Sequence, residues 1–67
     1  MQLGKYQHYK GNIYEVIGIA LHSETLEELV IYKSIDNDKK IWARPKSMFL
    51  ENVEVSEKII PRFKIIK

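Results

Sequence analysis

Three runs of residues in this 67-residue chain have the types and spacing to do chemistry. The first is Tyr6-Gln7-His8-Tyr9-Lys10-Gly11. On a strand Tyr6 and His8 point to one side and Tyr9 to the other. With Lys10 they make an aromatic and cationic lip that can stack a base or a peptide side chain. The structural alternative is that Tyr6 and Tyr9 cap the two sides of a small core with their hydroxyls in water.

The second run is His22-Ser23-Glu24-Thr25, followed by Glu27 and Glu28. It invites a hydrolytic relay or a metal site. A relay needs the base within about 3 Å of the hydroxyl and an oxyanion hole beyond it. Adjacent residues at a strand end point to opposite faces, and no glycine-rich elbow accompanies His22 and Ser23. A metal would need a third ligand, for which only His8 and the acids are available, at a spacing that matches no compact motif. A polar turn is the plainer reading, with Ser23 and Thr25 bonding the backbone. A polar ligand contact through His22 and Glu24 is the other.

The third run is Ile41-Trp42-Ala43-Arg44-Pro45. Trp42 and Arg44 share one side of a strand, so a guanidinium can lie near an indole, which suits stacking and the reading of carboxylates or phosphates. This pair is the best recognition candidate in the chain. The competing reading is a core Trp42 with Arg44 tied to Glu15 or Glu51. No phosphate-binding glycine loop, dinucleotide fingerprint or zinc-finger spacing is present. No cofactor, metal or catalytic residue is therefore expected.

The elements that must position these runs follow from period-2 patterning, since Val, Ile, Tyr, Phe and Thr dominate the apolar set and long helical spacing is absent. Leu3 to Lys10 reads as a strand ending at Gly11-Asn12, a pair that tolerates positive φ. Residues 13 to 22 are apolar on both alternating sets, as in a strand covered on both faces, with Gly18 marking a bulge or bend. After the polar turn Ser23 to Glu27, Glu28 to Ile35 alternates, with Leu29, Ile31 and Ile35 on one side and Val30 and Tyr32 on the other. Asp36-Asn37-Asp38 is a turn and Lys39 to Arg44 a short strand. Pro45 suits the first turn of a helix over Pro45 to Leu50, whose Met48 and Phe49 plug the core. Val53 and Val55 open a last hairpin through Ser56-Glu57-Lys58, and Ile60 to Ile66 closes the sheet.

The expected fold is a single all-β domain over residues 1–67. It is a small SH3-like barrel, or a strongly bent antiparallel sheet of five to six strands, with one short helical turn near residues 45–50. Closing the sheet removes exposed edges, whereas an open sheet would leave Ile17, Ile19 or Val30 wet. A half-open roll would bury its apolar face by dimerisation, so the state expected is monomer or weak homodimer.

Size and charge narrow the function. A chain this short buries only roughly 60% of the surface its unfolded form exposes, which leaves little room for a deep substrate cavity. The absence of cysteine excludes disulfides and thiol chemistry and points to the cytoplasm. The N-terminus has no cationic start followed by an apolar run, so no secretory signal is expected. The longest apolar stretch, Val16 to Leu21, falls far short of the roughly 20 residues a membrane-spanning helix needs, and Pro61 breaks the cationic, apolar tail. The formal net charge of +2 conceals alternating blocks. Lys39, Lys40, Arg44 and Lys46 form one basic stretch and Lys58, Arg62, Lys64 and Lys67 another.

The order of motifs resembles a known family. Gly4-x-Tyr6-x-His8-Tyr9-Lys10-Gly11-x-x-Tyr14-x-Val16-x-Gly18-x-Ala20 is followed by His22-Ser23-Glu24-Thr25-x-Glu27 and Tyr32. Trp42-x-Arg44-Pro45-x-x-Met48-Phe49 and Pro61-Arg62-Phe63 complete the set. Across nearly the whole chain this is similar to a family of short bacterial proteins known as a domain of unknown function, number one-six-five-three. The resemblance implies a small, mostly β bacterial domain in a cytoplasmic context, and it implies no activity. One departure is the turn at Ser56-Glu57-Lys58, where such proteins often have a glycine.

Gly11, Tyr14, Val16, Gly18 and Ala20 have ready structural explanations. His8, His22, Glu24, Arg44 and part of Lys10 do not, because charged or titratable side chains rarely fill so small a core. These residues are expected to converge on one groove beside Trp42. The leading expectation is a non-enzymatic module that binds a peptide or nucleic-acid segment through Tyr6, His8, Lys10, His22, Glu24, Trp42 and Arg44. One alternative is RNA or DNA binding through stretches 39–46 and 58–67. Another is a small hydrolytic or nucleotide-processing activity using His22, Glu24 and His8.

Overall fold

A computed structural model describes residues 1–36 and 40–66. Seven strands and one helical turn succeed one another. They are β1 (Gly4–His8), β2 (Ile13–Leu21), β3 (Glu28–Ser34), β4 (Ile41–Pro45), α1 (Lys46–Phe49), β5 (Asn52–Val55), β6 (Lys58–Pro61) and β7 (Phe63–Ile65). Five form an antiparallel sheet in the order β4-β3-β2-β1-β7, and β5 pairs with β6 in a separate hairpin. The fold is all-β, as its alternation requires, and the sheet is bent without closing into a barrel.

The extra strand comes from a break that apolar patterning hides. Residues 60 to 66 read as one strand, but the chain leaves the hairpin at Pro61 and enters the main sheet at Phe63. Arg62 is the hinge residue between them. Its N–H donates to the Glu51 carbonyl at 3.0 Å, and its own carbonyl accepts from Tyr9 N–H at 2.9 Å. Pro61 suits this place, because a residue that cannot donate to a ladder belongs at a strand end.

Register decides which side chains share the core face. Tyr6 lies opposite Tyr14, Val16 opposite Tyr32, Val30 opposite Arg44, Tyr32 opposite Trp42, and His8 opposite Phe63. Residues directly opposite one another point the same way. The buried core is Tyr6, Val16, Val30, Tyr32, Phe49 and Phe63, flanked by Tyr14 and Ile65. Among the described residues no polar or charged side chain is fully buried. Val30 and Tyr32 do occupy one side of β3, as their alternation implies.

Two local devices shape the sheet. At Gly18 the β2–β3 register slips by a residue, leaving Ile17 as the bulge. At Gly11 φ is +107°, a region glycine enters freely, and the β1–β2 connection turns back there. The bulge does not wrap β2 into a covered position: Ile17 is 43% and Ile19 38% exposed. The apolar character of both faces of β2 therefore does not report burial on both faces.

The helical turn forms where Pro45 fixes φ at −51° just before it. It presents one residue to the core. Phe49 is fully buried, whereas Met48, expected to share that role, is 45% exposed. A single turn can aim only one of two consecutive side chains inward. Of the turn expected at 36–38, residues 37 and 38 lie outside the described residues, as does Lys39. Among the described residues no helix is long and apolar enough to cross a membrane.

Candidate functional site

Phe63 organises the core and the surface beside it. One ring face stacks on Phe49, with centroids 4.0 Å apart. Tyr14 and Tyr32 approach edge-on, at 5.8 and 5.7 Å. Two of the cationic or titratable residues singled out above also meet this ring. The Arg44 guanidinium carbon lies 5.8 Å from its centroid, and His8 packs against it edge to face at 4.9 Å.

Arg44 reaches this position from edge strand β4, and its Nε donates a long 3.4 Å hydrogen bond to Tyr32 Oη. Neither Glu15 nor Glu51 pairs with it. Glu51 holds Arg62 at 2.9 Å, and the other ion pair among the described residues joins Lys46 to Glu28 at 3.5 Å. Trp42 is no core residue, being 47% exposed on the same face of β4. An exposed indole and a guanidinium seated on an aromatic ring therefore lie two residues apart on an outer strand.

His8 carries both a structural and an electrostatic load. Its Nδ1 accepts the Lys10 N–H at 3.1 Å, pinning the β1–β2 turn and leaving Nε2 to carry the ring proton. Burial, then the positive charges of Arg62, Lys10 and Arg44, push its pKa below the ordinary histidine value. Beside it the Tyr9 ring lies tilted by 32° against the imidazole with centroids 4.4 Å apart, and Lys10 Nζ stands 5.9 Å from the Tyr9 ring centroid. This end of the sheet is cationic and aromatic.

His22 and Glu24 are elsewhere. His8 lies just beyond the Ile13 end of β2, and His22 follows Leu21 at its other end. Eight residue steps separate those ends, roughly 26 Å of extended backbone. Convergence of both histidines on one groove does not occur. The His22 imidazole is engaged locally, its Nδ1 accepting the N–H groups of Glu24 and Thr25 at 3.1 and 3.3 Å. Thr25 Oγ1 accepts Glu27 N–H at 3.2 Å, so this motif is a self-capped turn. Ser23, His22 and His8 form no relay.

Tyr6 also leaves the surface site. It is 6% exposed, packs edge-on against Phe49 at 5.4 Å, and its hydroxyl donates to the Gln2 carbonyl at 2.6 Å. Burial raises its pKa. Of the seven residues expected, the structure groups His8, Lys10 and Arg44 around Phe63 and Tyr9, sets Trp42 beside Arg44, buries Tyr6, and removes His22 and Glu24. Arg62 and Tyr9 join the cationic end instead. The interruption of an apolar strand by Pro61-Arg62 was the available signal for Arg62. Nothing in sequence spacing brings Arg62 to His8, because they meet only through the β1–β7 pairing.

Comparison with known proteins agrees with this architecture. The model of a family described as "Protein of unknown function (DUF1653)" matches residues 4–65. A crystal structure of a protein belonging to DUF1653 from Bordetella bronchiseptica is similar with a TM-score of 0.89 at 29% identity, over 98% of this chain and 87% of that one. No curated protein matches. The chain belongs to the DUF1653 family.

Proposed function

We propose that this domain is a non-enzymatic binding module that takes an extended segment along edge strand β4, with Trp42 as the stacking platform and Arg44 as the fixed cation. The observation that carries this reading is the pairing of a half-exposed indole with a guanidinium held on the Phe63 ring and bonded to Tyr32. An arginine already ordered loses less rotamer entropy on meeting a carboxylate or phosphate. β4 has β3 on one side and no strand on the other among the described residues. Its free edge favours a peptide, which can add as a further strand while its side chains meet Trp42 and Arg44.

A nucleic-acid strand is the second reading, favoured by the positive charges of Lys10, Arg44 and Arg62 that act on His8. Salt separates the two. Strand addition rests on main-chain hydrogen bonds, whereas phosphate binding falls steeply with salt.

Trp42 is the sole tryptophan, so its fluorescence reports occupancy directly. Titration of acidic peptides and of single-stranded oligonucleotides at low and high salt is expected to perturb it. The Arg44→Gln variant should weaken that response with the fold intact. If neither ligand class changes Trp42 emission or the exchange of β4 amides, β4 is not a binding edge.

A further inference from the structure

A cleft of about 340 Å³ opens at the cationic end of the sheet, lined by Gln7, His8, Tyr9, Gly11, Ile60, Pro61 and Lys64. It lies between the β1–β7 edge and the β5–β6 hairpin, so its walls come from both sheets. Its size falls at the small end of the range of about 300–1,000 Å³ typical of ligand pockets. The peptide or nucleic-acid reading of β4 does not require it.

The chemistry of the lining is one-sided. Ile60 and Pro61 give an apolar wall, and Tyr9 an aromatic one. Because His8 Nδ1 is committed to Lys10 N–H, Nε2–H remains a donor. Gln7 Nε2 donates to the Gly11 carbonyl at 3.2 Å, which leaves its Oε1 as an acceptor. Lys64 supplies a positive charge, and no aspartate or glutamate lines the cleft among the described residues. A neutral apolar ligand would waste the lysine, and a cation would be repelled.

We propose that this cleft binds a small flat aromatic anion, its ring lying against Tyr9 and Pro61 and its carboxylate or phosphate meeting Lys64. Charge and ring are both required. An acidic group alone gains nothing from the apolar wall, and a neutral ring leaves Lys64 without a partner.

The test is an NMR titration of the full chain at constant ionic strength with four probes: adenosine monophosphate, benzoate, adenosine and inorganic phosphate. Adenosine monophosphate and benzoate are expected to shift signals of Gln7, His8, Tyr9, Gly11 and Lys64. Adenosine and inorganic phosphate should each bind about tenfold more weakly or worse, a difference of roughly 1.4 kcal/mol. Lys64→Gln should weaken the anions with little effect on adenosine, and the shifts around the cleft should persist in Trp42→Ala. Equal binding of adenosine and its monophosphate, or of phosphate and the monophosphate, would overturn the proposal. So would the absence of shifts around the cleft at millimolar probe, or shifts centred on Trp42 and Arg44. Survival of binding in the Trp42→Ala variant distinguishes this site from the β4 edge.

Discussion

Phe49 and Phe63 stack almost parallel, 5° apart in plane and 4.0 Å between centroids, which ties the single helical turn to the last strand of the sheet. Both elements are short. A four-residue helix is far below the length at which helices persist alone, and β7 has only three residues. Truncating Phe49 to alanine is expected to cost about 3–5 kcal/mol. That is a large part of the stability of a domain this small, so chemical denaturation should show the variant mostly unfolded. The milder Phe49→Leu and Phe63→Leu pair, in a double-mutant cycle, should show a coupling of about 0.5–1.5 kcal/mol. Strict additivity would mean that the stack is incidental.

His8 should make the fold acid-sensitive. Its folded pKa lies below the ordinary value of 6.5, because of burial and the charges of Arg62, Lys10 and Arg44. As pH falls below that value the unfolded chain takes up a proton that the folded chain resists. The stabilising contribution is therefore complete above the unfolded pKa and is lost as pH drops through the folded one. Thermal midpoints at neutral pH and near pH 5 should differ more in the wild type than in His8→Asn. That variant retains an acceptor for Lys10 N–H and cannot titrate. An identical pH response in the two proteins would remove His8 from the account.

The two-residue turn Ser56-Glu57 holds both residues at positive φ, 51° and 66°, between the paired Val55 and Lys58. This is the geometry of a type I′ turn, in which Asn-Gly is the favoured sequence. Left-handed conformations cost an ordinary L-residue about 1–2 kcal/mol. A glycine offsets part of any gain through its looser unfolded state, so Ser56→Asn with Glu57→Gly should stabilise by about 0.5–1 kcal/mol. Calorimetry should register a rise of several degrees in midpoint, near 4–8 °C per kcal/mol for a chain of this length.

Arg62 and Glu51 close the base of the β5–β6 hairpin through a 2.9 Å ion pair, as well as through the Arg62 N–H bond to the Glu51 carbonyl. Glu51 is half exposed, so the side-chain pair contributes no more than about 1 kcal/mol. The effect of Glu51→Gln should be local. Amide exchange should accelerate in Asn52–Pro61 and stay unchanged in β1 to β3. Uniform acceleration across the chain would show that the hairpin does not open independently.

The parts of this fold legible in sequence are those fixed by neighbours along the chain. The alternation of Val30 and Tyr32 against Leu29 and Ile31 sets which side chains share a side of β3, and the structure buries the Val30 and Tyr32 side. Gly18 marks the bulge and Pro45 the helical turn. The parts that were not legible depend on partners distant in sequence. Ile60 to Ile66 reads as one strand because nothing local says that Glu51 and Tyr9 will capture Arg62 on its two sides. Met48 and Phe49 are equally apolar, and only the position of Phe63 selects one of them. The histidines look alike as motif residues, yet each accepts backbone N–H groups in its own turn, and β2 holds those turns at its two ends. Trp42 and Arg44, two residues apart on one strand, were found because a strand's period alone puts them together.

The pairing of β1 with β7 sets a condition on when this domain can exist. Tyr6 meets Ile65 and His8 meets Phe63, so the first strand waits for the last. Phe63 is in turn the ring on which Phe49, Tyr32 and Arg44 assemble. A nascent chain that has not yet delivered residues 63–65 carries a hairpin of β2 and β3 with Val16, Val30 and Tyr32 open to solvent. The sheet and its core therefore close only once residues 63–65 are available to pair with β1.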